Sequence, residues 1–387
     1  MPILAERSKG GSFAENGIRA NIVCLEMLAQ TLQKQQNDEA PFARCVPGTI
    51  VEAALAVGGG MDLARGKVVS LKEAVTEIQT GDVVFLGGLI ECRRPMAAVY
   101  EMVRQRKRGL ILLAECSLAE DILAGAGCVA AWRGCYTGMA NFGLSPATQR
   151  KIERQELIPD EIGHIDIILG AMAAMAGSPF VATRVTLGSD VLNPAYDRTA
   201  CIRNLARNPD TIPRQKFVLM EDPFYGQGTV KLQPAMRIDV AVIHVQEVGE
   251  EGTSRMQGSL AFDHYAVHAA RKVIITAERV VPEEYLRWDP NRNQIPATSV
   301  DMVVEVPWGG HPSQVPGFYD VDVPYIRDYS LRARSDEGFK AWLDEWVVNL
   351  PSHEAYLDKL GAARLEKLRS VPPFGYRPRG KGVGTGA

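Results

Sequence analysis

From Lys67 onward, apolar positions alternate between two rhythms. Residues 71–79, LKEAVTEIQ, carry apolar side chains at helical spacing. Ser70 stands before them as an N-cap, with Glu73 three residues on to complete a capping box. Gly81-Asp82 makes a turn. Residues 83–88, VVFLGG, then form a continuous apolar run, the signature of a strand buried on both faces. A helix follows, from about Arg94 to Arg108. A second buried strand, LILLAE (110–115), and a second helix, SLAEDILAG (117–125), repeat the beat.

Ser145-Pro146 opens a helix with a cap and a proline in the first turn. Pro159 is read as opening another, running through HIDIILGAMAAMAG, with His164 at its start. Later strands are KFVLM, VAVIHV, KVIITAE and DMVVEV, and a helix near FDHYAVHAARK lies between two of them. Two C-terminal helices are expected, roughly 335–349 and 352–369. Strands that alternate with helices predict an α/β fold: an open parallel sheet with helices on both faces.

The pattern divides the chain into three parts. Residues 1–66 hold one amphipathic helical stretch, with Ile18, Ile22, Leu25, Leu28 and Leu32 on one face, then a loose Pro- and Gly-containing connection. Residues 67–370 form the α/β domain. Residues 371–387 end in the flexible-looking tail YRPRGKGVGTGA.

Composition narrows the function. The 387 residues are 46% hydrophobic and 23% charged, an ordinary globular profile. The net charge of −3 leaves no general basic bias, so nucleic acid is not the expected partner. The short basic run from Arg104 to Arg108 sits where a helix ends, which suits the helix dipole; contact with a phosphate is the other reading. The seven cysteines include no CxxC pair, which argues for reduced thiols in a cytoplasm and against a zinc site. No run of 18 apolar residues occurs, so no membrane span is expected.

Neither GxxxxGK[ST], GxGxxG after a strand, GxSxG nor HExxH is present. His264 and His268 have metal-ligand spacing, but a plain helix face explains them as well, and no metal is expected. Glu15-Asn16-Gly17 lies ahead of the fold with no strand leading into it and reads as a loop turn.

The stretch KVVSLKEAVTEIQTGDVVFLGGLIECRRPMAAVYEMVRQ resembles the opening of the alpha subunits of family I CoA-transferases of the glutaconate CoA-transferase type. Further matches are CYTGMANFG (135–143), SPF with VTLGSD (178–190), RIDVAVIHVQEVGEEGTSRMQG (237–258), VDMVVEVPWGGHPSQVPGFYD (300–320) and YLDKLGAARLEKL (356–368). They keep their order over about residues 67–376. The resemblance implies the family's open parallel-sheet α/β fold, a beta-type partner subunit, and a coenzyme A thioester as substrate with no bound cofactor. It also implies a double displacement at a glutamate of the beta subunit, so that this chain is active only with its partner.

On that reading, Gly87 and Gly88 end the first strand, where α/β sheets bind ligands, and admit a ligand close to the backbone. Arg93 and Arg94 follow and are candidates to pair with a substrate carboxylate or a CoA phosphate. A tight turn and a helix cap would account for the same residues. His164 falls where transferases of this type carry glutamine and related ring-opening hydrolases carry glutamate. Histidine can position a carbonyl or move a proton. Glu115, at the end of the second strand, is a candidate acid/base group or a helix cap, and Cys116 beside it a nucleophile or a small core residue. The segment 112–121 departs from the glycine-rich pattern of the transferases. Two enzymatic readings therefore stand: a CoA-transferase, or a hydrolase or lyase acting on a CoA-linked dicarboxylate or cyclic ketone with His164 as acid/base. A non-enzymatic binding module is the third.

Overall fold

The structure, a computed structural model, describes residues 66–113, 117–371 and 376. The amphipathic stretch 18–32, the Glu15-Asn16-Gly17 turn, Glu115 and Cys116, and residues 377–387 lie outside the described residues.

Strands β1 (Val83–Leu86), β2 (Leu110–Leu113), β3 (Val129–Gly134), β4 (Ile158–Glu161), β8 (Ile238–Gly249), β10 (Ala270–Val281) and β11 (Met302–Glu305) form the central sheet. Their spatial order is β11-β10-β8-β1-β2-β3-β4, and every adjacent pair is parallel. The short β9 (Ser254–Arg255) pairs antiparallel with β8. The chain runs outward from β1 through β2 and β3 to β4, then returns to the other side of β1 as β8. The reversal puts a topological switch point at the C-terminal end of β1.

The continuous apolar run in β1 is explained by burial on both faces. Val84 and Leu86 enter a core with Met96, Tyr100 and Trp342. Val83 and Phe85 enter a second core, on the opposite face, with Ile167, Ile202 and Phe262. Side chains that alternate along a strand thereby serve two helix layers. Each fully buried Val, Leu or Phe contributes about 1.5–3 kcal/mol relative to exposure.

The helices are α1 (Leu71–Thr76), α2 (Met96–Arg104), α3 (Leu118–Gly125), α4 (Pro146–Glu153), α5 (His164–Met175), α6 (Thr199–Leu205), α7 (Asp263–Ala269), α8 (Glu283–Arg287), α9 (Val323–Arg332), α10 (Asp336–Leu343), α11 (His353–Leu360) and α12 (Ala362–Leu368). The Ser70–Glu73 capping box forms as expected: the Glu73 amide donates to Ser70 Oγ at 3.2 Å and the Ser70 amide to Glu73 Oε2 at 2.9 Å. Ser145-Pro146 does open α4, while the amides of Ala147 and Thr148 are capped from a distance by Asp121, at 3.3 and 2.7 Å.

The structure corrects several element assignments. Pro159 opens no helix; it lies inside β4, which pairs only with β3. A proline is tolerated there because an edge strand leaves one side of its backbone unpaired. KFVLM gives β6 (Val218–Glu221), which belongs to a separate antiparallel sheet with β5 (Phe180–Thr183) and β7 (Thr229–Pro234), in the order β5-β7-β6. The last helix is two, α11 and α12, broken at Gly361, where φ is 80°. In the region of 335–349, α10 gives way to a π-helical turn, Asp344–Val348. No helix among the described residues is long and apolar enough to cross a membrane.

Candidate active site

The loop from Gly87 to Pro95 follows β1 at the switch point. Gly87 closes the ladder, its amide donating to Val242 O at 2.8 Å, and a Cβ there would meet Ile243 at 2.9 Å. Gly88 has φ 84°, and a Cβ on it would lie 2.3 Å from Cys92 O. Its amide donates to both carboxylate oxygens of Asp263, at 3.0 and 3.1 Å. Turn geometry and close packing therefore account for both glycines.

Both arginines point into the protein. Arg93 pairs with Asp263 (Nη1 to Oδ2, 2.9 Å) and also donates to the carbonyls of His244, at 3.1 Å, and Ser259. Arg94 pairs with Glu120 and donates to the carbonyls of Leu86 and Gly88, at 3.3 and 3.2 Å. Both side chains are almost wholly buried. The sequence pattern offered them to a substrate carboxylate or CoA phosphate; in the structure their guanidiniums hold the loop instead. That hold offsets backbone strain. Ile90 (φ 50°) and Arg93 (φ 53°) are non-glycine residues in the left-handed region, at about 1–3 kcal/mol each.

The anchored loop presents Leu89 and Ile90 to a cavity of about 600 Å³. Cys135 and Tyr136, just after β3, and the segment Glu161–His164, at the end of β4 and the start of α5, line the same space. The cavity thus lies at the C-terminal edge of the parallel sheet, where ligands bind in open α/β folds.

His164 is the first residue of α5, as expected from the sequence, and stands at the cavity wall. Its ring meets Phe262 edge-on, with centroids 5.9 Å apart. Phe262 is buried, so the imidazole has an apolar brace on one side. Glu161 shares the wall, three residues earlier in the chain. Sequence reasoning missed Glu161, Cys135 and Tyr136. The last two fall in the CYTG segment already noted for its resemblance; Glu161 has no signal of its own beyond its nearness to His164.

One more titratable group belongs to the loop. Both carboxylate oxygens of Glu91 are buried without a hydrogen-bond partner. Burial pushes its pKa up to about 7; nearby Arg94 opposes the rise and Glu120 adds to it. Among the described residues, no group of three or more His, Cys, Asp or Glu side chains is arranged to hold a metal ion.

Residues 68–306 match the profile of the coenzyme A transferase family. This chain belongs to the coenzyme A transferase family. The A-subunit of glutaconate CoA-transferase from Acidaminococcus fermentans is 36% identical over 315 residues, which is 80% of this chain and 97% of that one. The crystal structure of glutaconate coenzyme A-transferase from the same organism superposes with a TM-score of 0.76 at 34% identity, covering 81% of this chain and 98% of that chain. A more distant relative is the IpdA subunit of a cholesterol ring-cleaving hydrolase from Rhodococcus jostii, 27% identical over 290 residues, 73% of this chain and 92% of that one. The central parallel sheet flanked by helices is the fold this chain shares with the A. fermentans enzyme.

Proposed function

We propose that this chain is the alpha-type subunit of a hetero-oligomeric acyl-CoA transferase that moves coenzyme A between carboxylic acids in the cytoplasm. The observation that carries the reading is its 36% identity with the A-subunit of a CoA-transferase, along nearly that protein's whole length. The cavity at the switch point supplies a place for the acyl group. Exposed apolar surface supports a beta-type partner. Val218, Leu219 and Met220 follow one another on β6, so apolar side chains face outward on both sides of the small sheet. Phe224 and Tyr225 stand 86% and 80% exposed nearby in sequence. Surface of this kind marks an interaction site.

In this reading the nucleophile is a glutamate of the beta subunit. Its carboxylate attacks the thioester carbonyl and expels the CoA thiolate, leaving a mixed anhydride. The thiolate attacks the glutamyl carbonyl and releases the first acid as its carboxylate. The second acid's carboxylate then attacks the glutamyl thioester and expels the thiolate again. That thiolate takes the new acyl group and frees the glutamate. The work is split into steps of lower barrier. This chain's part is to hold the acyl group: the loop Gly87–Pro95, braced by Arg93 and Arg94, sets one wall, and His164 donates a hydrogen bond to the reacting carbonyl oxygen. Glu115 is kept as a candidate for the same site.

A second reading, hydrolase or lyase chemistry on a CoA-linked substrate, is favoured by two side chains capable of proton transfer, His164 and Glu161, on one cavity wall. One experiment separates the two. The chain is purified with its beta-type partner, incubated with glutaconyl-CoA and acetate, and trapped with borohydride. An acyl-CoA-dependent reduced glutamate on the partner supports the transferase. CoA release or carbon–carbon cleavage with no adduct supports the second reading.

A further inference from the structure

A second cleft, of about 690 Å³, lies among α1, α2, α11 and the end of β11, and shares no lining residue with the catalytic cavity. Its walls include Lys72, Glu101, Arg104, Glu305, His353 and Glu354. Arg104 is the last residue of α2, and its side chain is only 10% exposed. Nε donates to Glu101 Oε2 at 2.8 Å, while Nη1 and Nη2 are buried with no hydrogen-bond partner. A buried guanidinium with two idle nitrogens is costly, and structures seldom keep one without a use.

His353, at the first position of α11, is an independent observation in the same cleft. It too is buried, and its Nδ1 has no partner. Its Nε2 lies 2.8 Å from the Pro307 carbonyl, which can only accept, so Nε2 carries the proton. Burial lowers the pKa of the ring, against the pull of the Pro307 carbonyl and Glu354 and with the push of Arg104. In the neutral ring Nδ1 is therefore an acceptor. The same cleft is lined by a two-pronged donor for an oxyanion and an acceptor for a hydroxyl or N–H.

The walls also limit the ligand's charge. Glu101, Glu305 and Glu354 outnumber Lys72 and Arg104, so a second negative charge on the ligand meets repulsion. We propose that this cleft is a second binding site, anchored by Arg104 and His353, for a small monoanionic hydroxycarboxylate. The carboxylate takes the two free prongs of Arg104, after a small turn of the guanidinium toward the cleft. The ligand's hydroxyl donates to His353 Nδ1. The site stands apart from the proposed catalysis and does not depend on that reading.

The test is calorimetric titration of the full chain, together with its partner subunit, using lactate as probe. Propionate, which lacks the hydroxyl, and malate, which adds a second carboxylate, are the comparisons. Lactate is expected to bind saturably, at least tenfold tighter than either. Arg104→Lys keeps the charge but loses the fork and is expected to weaken lactate at least tenfold. His353→Phe is expected to abolish the preference for lactate over propionate, and circular dichroism checks that each variant is folded. Binding must persist when an acyl-CoA occupies the catalytic cavity. Absence of saturable lactate binding, equal binding of propionate, indifference to Arg104→Lys, or displacement by acyl-CoA would each overturn the proposal.

Discussion

Arg93 and Asp263 form a fully buried ion pair, 2.9 Å from Nη1 to Oδ2, that ties the loop after β1 to the first residue of α7. The same carboxylate accepts the Gly88 amide, so one side chain from 170 residues away holds both the turn and the arginine. Removing the carboxylate leaves a buried guanidinium without its counter-charge. Asp263→Ala is expected to lower stability by about 3–5 kcal/mol, read from the urea midpoint. The double replacement Arg93→Met with Asp263→Leu is expected to lose less, because it buries no unpaired charge.

Gly88→Ala tests the turn itself. The added Cβ would sit 2.3 Å from Cys92 O and 2.6 Å from Arg93 O at a φ of 84°. The backbone strain alone is about 1–3 kcal/mol, and relief of the clash must move the loop that presents Leu89 and Ile90. The expected result is a lower melting temperature together with a raised KM for acyl-CoA, measured in steady state.

Glu91 makes stability depend on pH. Its pKa rises from an ordinary 4.5 to about 7 in the folded chain. Below 4.5 folded and unfolded chains both hold the proton. As pH rises above that value the unfolded chain releases it while the folded chain keeps it, so stability falls until about pH 7 and then levels. Glu91→Gln removes this dependence. The difference in unfolding free energy, variant minus wild type, is expected to grow by on the order of 2–3 kcal/mol between pH 4.5 and 8. A difference that is flat with pH would show that Glu91 does not titrate in this window.

For His164 the two enzymatic readings predict opposite outcomes. If the imidazole only donates a hydrogen bond to the carbonyl, His164→Gln retains transferase kcat/KM within about threefold, and His164→Ala loses roughly tenfold, the worth of one hydrogen bond. If it moves a proton, His164→Gln loses about 10²–10⁴-fold. The transferase proposal predicts the first pattern in assays with the partner subunit present.

Much of the fold was legible because its signals are local. The capping box at Ser70 and the apolar runs of β1 and β2 depend on neighbours a few residues away. Pro159 misled because a proline after a polar stretch commonly opens a helix, and only the pairing of β4 on a single side shows that its missing amide does no harm. KFVLM looked like another central strand because exposure cannot be read from hydrophobicity; β6 is apolar and yet exposed along its length.

The order of motifs from Lys67 onward and the continuous apolar strands were enough by themselves to determine the family, the parallel sheet and the place of His164 at a helix start. What the arginines do was decided only by tertiary structure. Arg93 and Arg94 follow a glycine turn at a ligand-binding edge, a position that suits a substrate anion as well as a buried carboxylate. Asp263 and Glu120 reach them from distant points in the chain and take up their charge inside the protein. A local pattern records spacing and polarity, whereas the direction of a long charged side chain depends on which carboxylate the folded chain brings within reach.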